Sequence, residues 1–145
     1  AIGVAGGLMC ASADMIDYMI NTSRPFIYST ATMPLQALLV QKSLEILASD
    51  DGDVRRADLR ALCKDAKTLF GGSGTQIVPI ILGENERAIQ VAAYLQKQGF
   101  DIRAIRPPTV PAGSARLRLS LSSVLEKQVL RDFASCLSGA ESNIA

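Results

Sequence analysis

A seven-residue stretch in the last third of the sequence alternates strictly between polar and apolar residues. In Arg116-Leu-Arg-Leu-Ser-Leu-Ser122 the leucines occupy every second position. Successive side chains of a strand point to opposite faces of a sheet, so the pattern predicts a strand with a leucine face and an arginine and serine face. A half-buried strand needs neighbouring strands and a covering layer, so this part of the chain must form a packed sheet.

The segments around this strand predict the rest of a small α/β unit. Two further strands are expected over 76–82 and 100–105, and a helix is expected over 84–98, with Gly99 in the position that ends it. A capping box at 123–126 predicts the start of a last helix, which runs through Leu137 and stops at Gly139, followed by a frayed tail. The order strand, helix, strand, strand, helix predicts an α/β sandwich with a partly antiparallel sheet and helices on one face.

The first half of the sequence predicts mainly helices. After an apolar run at 6–10, interpreted as a short buried strand, Ser12 is a candidate cap for a helix over 14–20. The segment 21–33 is expected to be extended or looping, and Pro34 to begin a helix that ends near Ser49 and stops at 50–52. An amphipathic helix follows over 54–70, and glycines at 71–74 break it. That glycine cluster is interpreted as a loop, because it lacks the Gly-Lys-Ser/Thr of a phosphate-binding loop.

The composition excludes several functional classes. Fifteen Lys and Arg against fourteen Asp and Glu leave a net charge of +1, which gives no electrostatic footprint for nucleic acid. Apolar runs are too short for a bilayer helix. With no histidine, the chain alone cannot build a histidine-based triad or a histidine-containing metal site, and no metal is expected. Three widely spaced cysteines in apolar contexts favour reduced thiols in a cytoplasmic protein.

Two segments carry residues whose pattern indicates ligand binding as well as packing. Arg118, with Arg116 beside it, lies on the polar face of the predicted strand, where a guanidinium can bind a carboxylate in bidentate fashion. Solvated arginines are the alternative, although prolines at 107, 108 and 111 pre-order a loop next to this strand. The second place is the hydroxyl-rich stretch 28–32 before Pro34, which suits a phosphate or, equally, caps the helix that follows.

Three segments resemble one family of enzymes. These are Ala1-Ile-Gly-Val-Ala-Gly-Gly7, Arg24-Pro-Phe-Ile-Tyr-Ser-Thr-Ala31 and Ile105-Arg-Pro-Pro-Thr-Val-Pro-Ala-Gly-Ser-Ala-Arg-Leu-Arg-Leu-Ser120. In one register they resemble the α-oxoamine synthases, pyridoxal-phosphate enzymes that condense an amino acid with an acyl thioester. The resemblance implies the C-terminal part of a fold-type I transferase. Residues 1–52 would end the large cofactor-binding domain, and 53–145 would form the small C-terminal α/β domain.

The resemblance also implies roles for individual residues. Thr30 corresponds to a hydroxyl that reaches the phosphate of pyridoxal 5′-phosphate from the neighbouring subunit of a homodimer, Thr109 to a substrate contact, and Arg118 to the arginine that holds the amino-acid carboxylate. The Schiff-base lysine of the family would directly precede Ala1, so no catalytic residue is assigned within this sequence. The chain alone is therefore expected to be inactive.

Two other interpretations of the residues stay open. The C-terminal unit could be a regulatory module that binds an amino-acid carboxylate through Arg118 without a cofactor. It could also be a purely structural dimerisation piece whose arginines are solvated. No nucleic-acid or membrane partner is expected in either case.

Overall fold

The computed structural model describes residues 2–144, and the contacts within the chain divide it into two units, residues 1–53 and 54–145. Each unit is described by itself. The elements are α1 (Ala13–Thr22), α2 (Arg24–Ile27), α3 (Pro34–Leu47), α4 (Asp50–Phe70), β1 (Ile77–Gly83), α5 (Asn85–Lys97), β2 (Ala104–Ile105), β3 (Ala115–Ser120) and α6 (Lys127–Asn143). No helix within the described part of the chain is long and apolar enough to cross a membrane.

The first unit consists of helices with little burial. Pro34 occupies the first turn of α3, as predicted, where its missing N–H would have no partner in any case. Among residues 2–53 only Gly52 is buried. Most of the large apolar side chains of the unit are exposed, and these are Leu8, Met9, Met15, Tyr18, Ile20, Phe26, Ile27, Tyr28, Met33, Leu35, Leu38, Leu39, Leu44, Ile46 and Leu47.

Three expectations for this unit were wrong. The run 6–10 forms no strand, because no other segment of the described unit pairs with it. The predicted loop 21–33 contains the short helix α2, whose Pro25 sits at a helix start that tolerates proline. Residues 50–52 do not simply stop a helix but begin α4. Its first turn carries three aspartates, whose negative charges interact favourably with the positive end of the helix dipole.

The second unit contains a three-stranded sheet in the order β1-β3-β2, with both strand pairs antiparallel. The predicted alternation of β3 is confirmed, because Leu117 is fully buried and Leu119 half-buried while Arg118 and Ser120 are exposed. The register sets Pro79 of β1 opposite Arg118. The sheet therefore has a leucine face and a face that carries the arginines.

Helices α4, α5 and α6 cover the leucine face. Buried residues of α5 and α6 join Leu117 and Leu82 in one apolar cluster, and α4 contributes to a second cluster around Leu121 and Leu130. Phe133 of α6 packs edge-on against Phe70 and Phe100, with ring centroids 5.7 and 5.3 Å apart. The core of the unit is thus built on one side of the sheet.

Three details of the second unit differ from expectation. Strand β2 spans only Ala104–Ile105, because the residues before it bond locally: Phe100 N–H donates to the Leu95 carbonyl, and Gln96 donates to the Ile102 carbonyl. The capping box at 123–126 does not form, since α6 begins after Glu126, which makes no side-chain capping bond.

The last helix also passes through Gly139 and continues to Asn143, so the expected stop at Gly139 and the frayed tail are wrong as far as the described residues go. Ala145 lies outside them. By contrast, Gly99 ends α5 as predicted, with a φ of 93° that favours glycine.

Candidate functional site

The face of the sheet that the helices do not cover carries the candidate site. Arg118 sits at the centre of β3, and its cross-strand partner is Pro79. On either side along β1, Ile77 and Ile81 are 49% and 62% exposed. A cationic side chain between exposed apolar residues on a rigid strand can hold a ligand that is partly apolar and carries an anionic group.

The two arginines of β3 differ in what their guanidinium groups contact. The Nε of Arg116 donates a 2.9 Å hydrogen bond to the carbonyl of Ser114, and the residue is half-buried. Arg118 is exposed, and within residues 2–144 its guanidinium has neither a carboxylate nor a hydrogen-bond acceptor as partner. Arg118 is therefore the arginine of the pair that is available to an anion, whereas Arg116 ties the strand to the preceding loop.

The proline-rich loop leaves the sheet at the Arg116 end of β3, because Ile105 pairs with Arg116. Within the loop, Thr109 N–H donates to the Arg106 carbonyl at 3.0 Å, and the Ser114 hydroxyl donates to the Pro111 carbonyl at 2.6 Å. These turns fix the loop as the prolines predicted. Thr109 itself is exposed, and no hydrogen bond joins it to Arg118 among the described residues.

Thr30 lies in the first unit, in the irregular stretch between α2 and α3. Its side chain is exposed and makes no hydrogen bond to another described residue. The alternative, that the hydroxyls of this stretch cap α3, is not realised: the N-cap is Met33, and no side chain caps the helix. None of residues 2–53 therefore uses the Thr30 hydroxyl, which leaves it available to a phosphate.

The groups that a pyridoxal phosphate requires are only partly present in the described residues. The free hydroxyl of Thr30 fits the phosphate, and Arg118 fits a substrate carboxylate. All five lysines of the sequence lie exposed on helices, and Lys42 and Lys127 are engaged with Glu45 and Asp65 at 3.1 and 3.2 Å. No lysine of residues 2–144 thus sits in a pocket suited to imine formation, and the fit is confined to the phosphate and the carboxylate.

Sequence reasoning found Arg118 but not what distinguishes it from Arg116. The sequence carries no signal for this difference, because the acceptor for Arg116 is the backbone carbonyl of Ser114, which any residue type would supply. Among the described residues, no three Cys, Asp and Glu side chains cluster in a way that could hold a metal ion.

Comparison with known protein families gives one match that covers most of the chain. The sequence profile described as aminotransferase class I and II matches residues 1–137. The match therefore covers both units of the chain.

Solved structures give the same picture of the fold. A serine palmitoyltransferase with pyridoxal phosphate is 21% identical with a TM-score of 0.83, covering 99% of this chain and 38% of its own. The Sphingomonas wittichii serine palmitoyltransferase is 20% identical, with a TM-score of 0.79 and the same coverage. The 8-amino-7-oxononanoate synthase of Francisella tularensis is 25% identical with a TM-score of 0.73, covering 92% of this chain and 41% of its own. The chain spans about two fifths of the length of these proteins.

Proposed function

Because the chain belongs to the class I and II aminotransferase family and has the expected fold of the fold-type I pyridoxal-phosphate enzymes, we propose that it is the C-terminal part of an α-oxoamine synthase. Pyridoxal 5′-phosphate is the cofactor of this family, and when bound it serves as the electron sink for bonds broken at the amino-acid α-carbon. The proposed enzyme condenses an amino acid with an acyl thioester and releases CO2.

The observation that carries the proposal is the free guanidinium of Arg118 on a strand. Decarboxylative condensation requires that the carboxylate be held in one orientation, and a bidentate guanidinium does this better than an ammonium group. A strand whose opposite face packs on three helices provides a rigid base for that contact. Arg116 is less available for the same part, because it is half-buried and its Nε already donates to the Ser114 carbonyl.

Within this class we favour 8-amino-7-oxononanoate synthase, which joins L-alanine to a pimeloyl thioester. The support is the Arg-Pro-Pro-Thr-Val-Pro stretch that starts at Arg106, together with 25% identity to the Francisella tularensis enzyme. Serine palmitoyltransferase is the alternative with a specific observation behind it, because its structure superposes over 99% of the chain with the higher TM-score of 0.83. A glycine C-acetyltransferase-like enzyme is a third member of the same class.

The remaining assignments follow from this proposal. Thr30 would contact the cofactor phosphate across the interface of a homodimer, and Thr109 would contact the substrate. We place the enzyme in the cytoplasm. In support, Cys10, Cys63 and Cys136 are all free thiols, as is usual in a reducing compartment.

The experiment is a substrate comparison on the full-length protein that contains this sequence, loaded with pyridoxal phosphate. L-alanine with pimeloyl-CoA, L-serine with palmitoyl-CoA and glycine with acetyl-CoA are each supplied, and CO2 release and the mass of the product are measured. We expect CO2 release and the 8-amino-7-oxononanoate mass with the first pair. Turnover of the serine pair instead would favour the alternative member.

Two results would overturn the class itself. One is amino-group transfer to a 2-oxo acid without CO2 release from any of the three pairs. The other is saturable binding of L-alanine, by calorimetry, to the cofactor-free chain, which would support the regulatory module in which Arg118 acts without a cofactor.

A further inference from the structure

A groove of about 390 Å3 lies in the second unit, against the end of β3. Arg118 to Ser120 form one wall, and the segment 99–103 that precedes β2 forms the opposite wall. Strand β2 pairs only with Arg116 and Leu117, so no residue of β2 lies opposite Leu119 or Ser120 in the groove wall. The groove thus occupies the place where the sheet edge is left without a neighbouring strand.

The groove is lined mainly by apolar side chains. Phe100 and Leu119 contribute from the two walls, Leu125 from the segment before α6, and Val129 and Phe133 from α6 itself. Val129 is 39% exposed at its mouth, whereas Phe133 is buried at its base. Such a lining favours an apolar ligand portion, and the volume falls at the small end of the range for small-molecule sites.

The polar end of the groove is the backbone of Ser120. Leu121 N–H donates to the Gln76 carbonyl on the β1 side at 2.8 Å. Because adjacent residues of a strand direct their N–H and C=O groups to opposite edges, those of Ser120 point to the groove side. No residue of β2 lies opposite Ser120. An open N–H donor therefore faces an apolar groove.

The charge at the rim comes from Arg118. The other arginine of the lining, Arg103, is paired with Asp101 at 3.0 Å. Arg118 also lines the groove, its long side chain is exposed, and it has no acidic partner among the described residues. The groove therefore combines an apolar interior with an uncompensated positive charge and an N–H donor at one end.

We propose that this groove binds a medium-chain monocarboxylate. The alkyl chain lies against Phe100 and Val129, and the carboxylate accepts hydrogen bonds from the Arg118 guanidinium and the Ser120 N–H. A bound carboxylate of this kind competes with the amino-acid substrate for Arg118. The competition rests on the proposed function, whereas the binding does not, because it requires neither cofactor nor turnover.

Binding is tested by calorimetry on the 145-residue chain without cofactor, with octanoate as the probe. We expect saturable binding that weakens at least tenfold when octanol or butyrate replaces octanoate, since the first lacks the charge and the second most of the alkyl chain. Val129→Asp should also weaken octanoate binding at least tenfold. The matched control is Val124→Asp, the same change at a residue that is 79% exposed and does not line the groove.

Arg118→Met provides a second variant at an exposed position, so that the result does not depend on one substitution being tolerated. It should reduce octanoate affinity at least tenfold and octanol affinity by less than twofold. The proposal is overturned by octanoate binding that is absent, equal to octanol binding, or weakened no more by Val129→Asp than by Val124→Asp. Displacement of octanoate by an extended apolar peptide with blocked ends, bound more tightly, would instead identify a strand-addition site and likewise overturn it.

Discussion

At the scale of single residues, the site depends on a difference between two arginines on one face of one strand. The Nε of Arg116 donates a hydrogen bond to the Ser114 carbonyl. The guanidinium of Arg118 contacts no acceptor among the described residues and is left for solvent or ligand. A charge-assisted bidentate contact is stronger than a neutral hydrogen bond, and it is lost when the fork is removed. The two residues should therefore respond differently to the same substitution.

In the proposed full-length enzyme, Arg118→Ala should raise the KM for the amino acid by well over tenfold, because a charged contact of about 1.5 to 3 kcal/mol is lost. Steady-state kinetics with the amino acid varied would measure the change. Arg131→Ala on the exposed surface of α6 is the control and should change KM by less than twofold. A rise below threefold for Arg118→Ala would mean that another group holds the carboxylate.

Leu117→Ala should destabilise the second unit by about 2 to 5 kcal/mol, because Leu117 is fully buried between the sheet and its helices. Ile81→Ala also shortens an aliphatic side chain of the sheet, but Ile81 lies on the other face and is 62% exposed. This change should lower the free energy of unfolding by less than about 1 kcal/mol. Urea unfolding followed by circular dichroism would measure both. Equal losses would contradict the assignment of the two faces.

At the scale of elements, the periodicity of apolar residues predicted a strand correctly where no local hydrogen bonds compete with strand pairing. The alternation from Arg116 to Ser122 was enough for β3, because a strand with one buried face must alternate. The expected strand over 100–105 shrank to Ala104–Ile105, since the preceding backbone bonds to α5 and to itself. Such side-chain and backbone bonds between elements have no signature in the periodicity of either segment.

Helix ends were the other element-scale failure. Gly139 was expected to end α6, but it is helical, and a Cβ at this position would lie 3.8 Å from the Tyr94 hydroxyl of α5. A glycine inside a helix resembles a helix stop when only the sequence is read. The contact with Tyr94 is an ordinary van der Waals distance, so it would also accept a Cβ at this position.

Gly52→Ala should destabilise the turn between α3 and α4. A Cβ at Gly52 would stand 2.5 Å from the Ile46 carbonyl oxygen and 2.6 Å from that of Leu47, and backbone atoms cannot yield as a side chain can. We expect the backbone around this turn to shift, seen as lower helicity in circular dichroism. The control is Gly7→Ala, whose Cβ would meet nothing within 4 Å. Equal behaviour of the two variants would refute the steric account.

At the scale of the whole molecule, the two units differ in how they keep apolar groups from water. The second unit has a core on one side of a sheet, whereas the first exposes its large apolar side chains. The matched proteins are about two and a half times as long, and the proposal of a longer enzyme supplies further chain to cover such surfaces. The exposed leucines of α3 are consistent with that proposal.

Hydrogen exchange on the intact 145-residue chain should show this difference directly. Amides of α1 and α3 should exchange close to the rate of an unstructured peptide, because no apolar burial holds these helices closed. Amides of α5 and β3 should be protected by several orders of magnitude. Mass spectrometry of peptic fragments would measure both. Comparable protection of α3 and α5 would show that the first unit has a stabilising core of its own.

The site itself was predictable only in part. Arg118 could be chosen because strand alternation exposes it, and the same logic exposed Arg116 equally; the Ser114 carbonyl separates them only after the chain folds. Thr30 and Thr109 came from resemblance alone and stay predictions. The groove beside β3 could not be foreseen, because it exists only where β2 ends early.

Pro79 has a consequence for what happens to this sheet when protein concentrations are high. The backbone of Arg118 faces the β2 side, so that of its antiparallel partner Pro79 faces the outer edge of β1, where proline offers no N–H. The surrounding Ile77-Val-Pro-Ile-Ile-Leu82 would otherwise be a segment of high fibril-forming tendency, exposed at an edge. Pro79 thus acts as a gatekeeper that keeps a second molecule from extending the sheet there, at no cost to the pairing inside it.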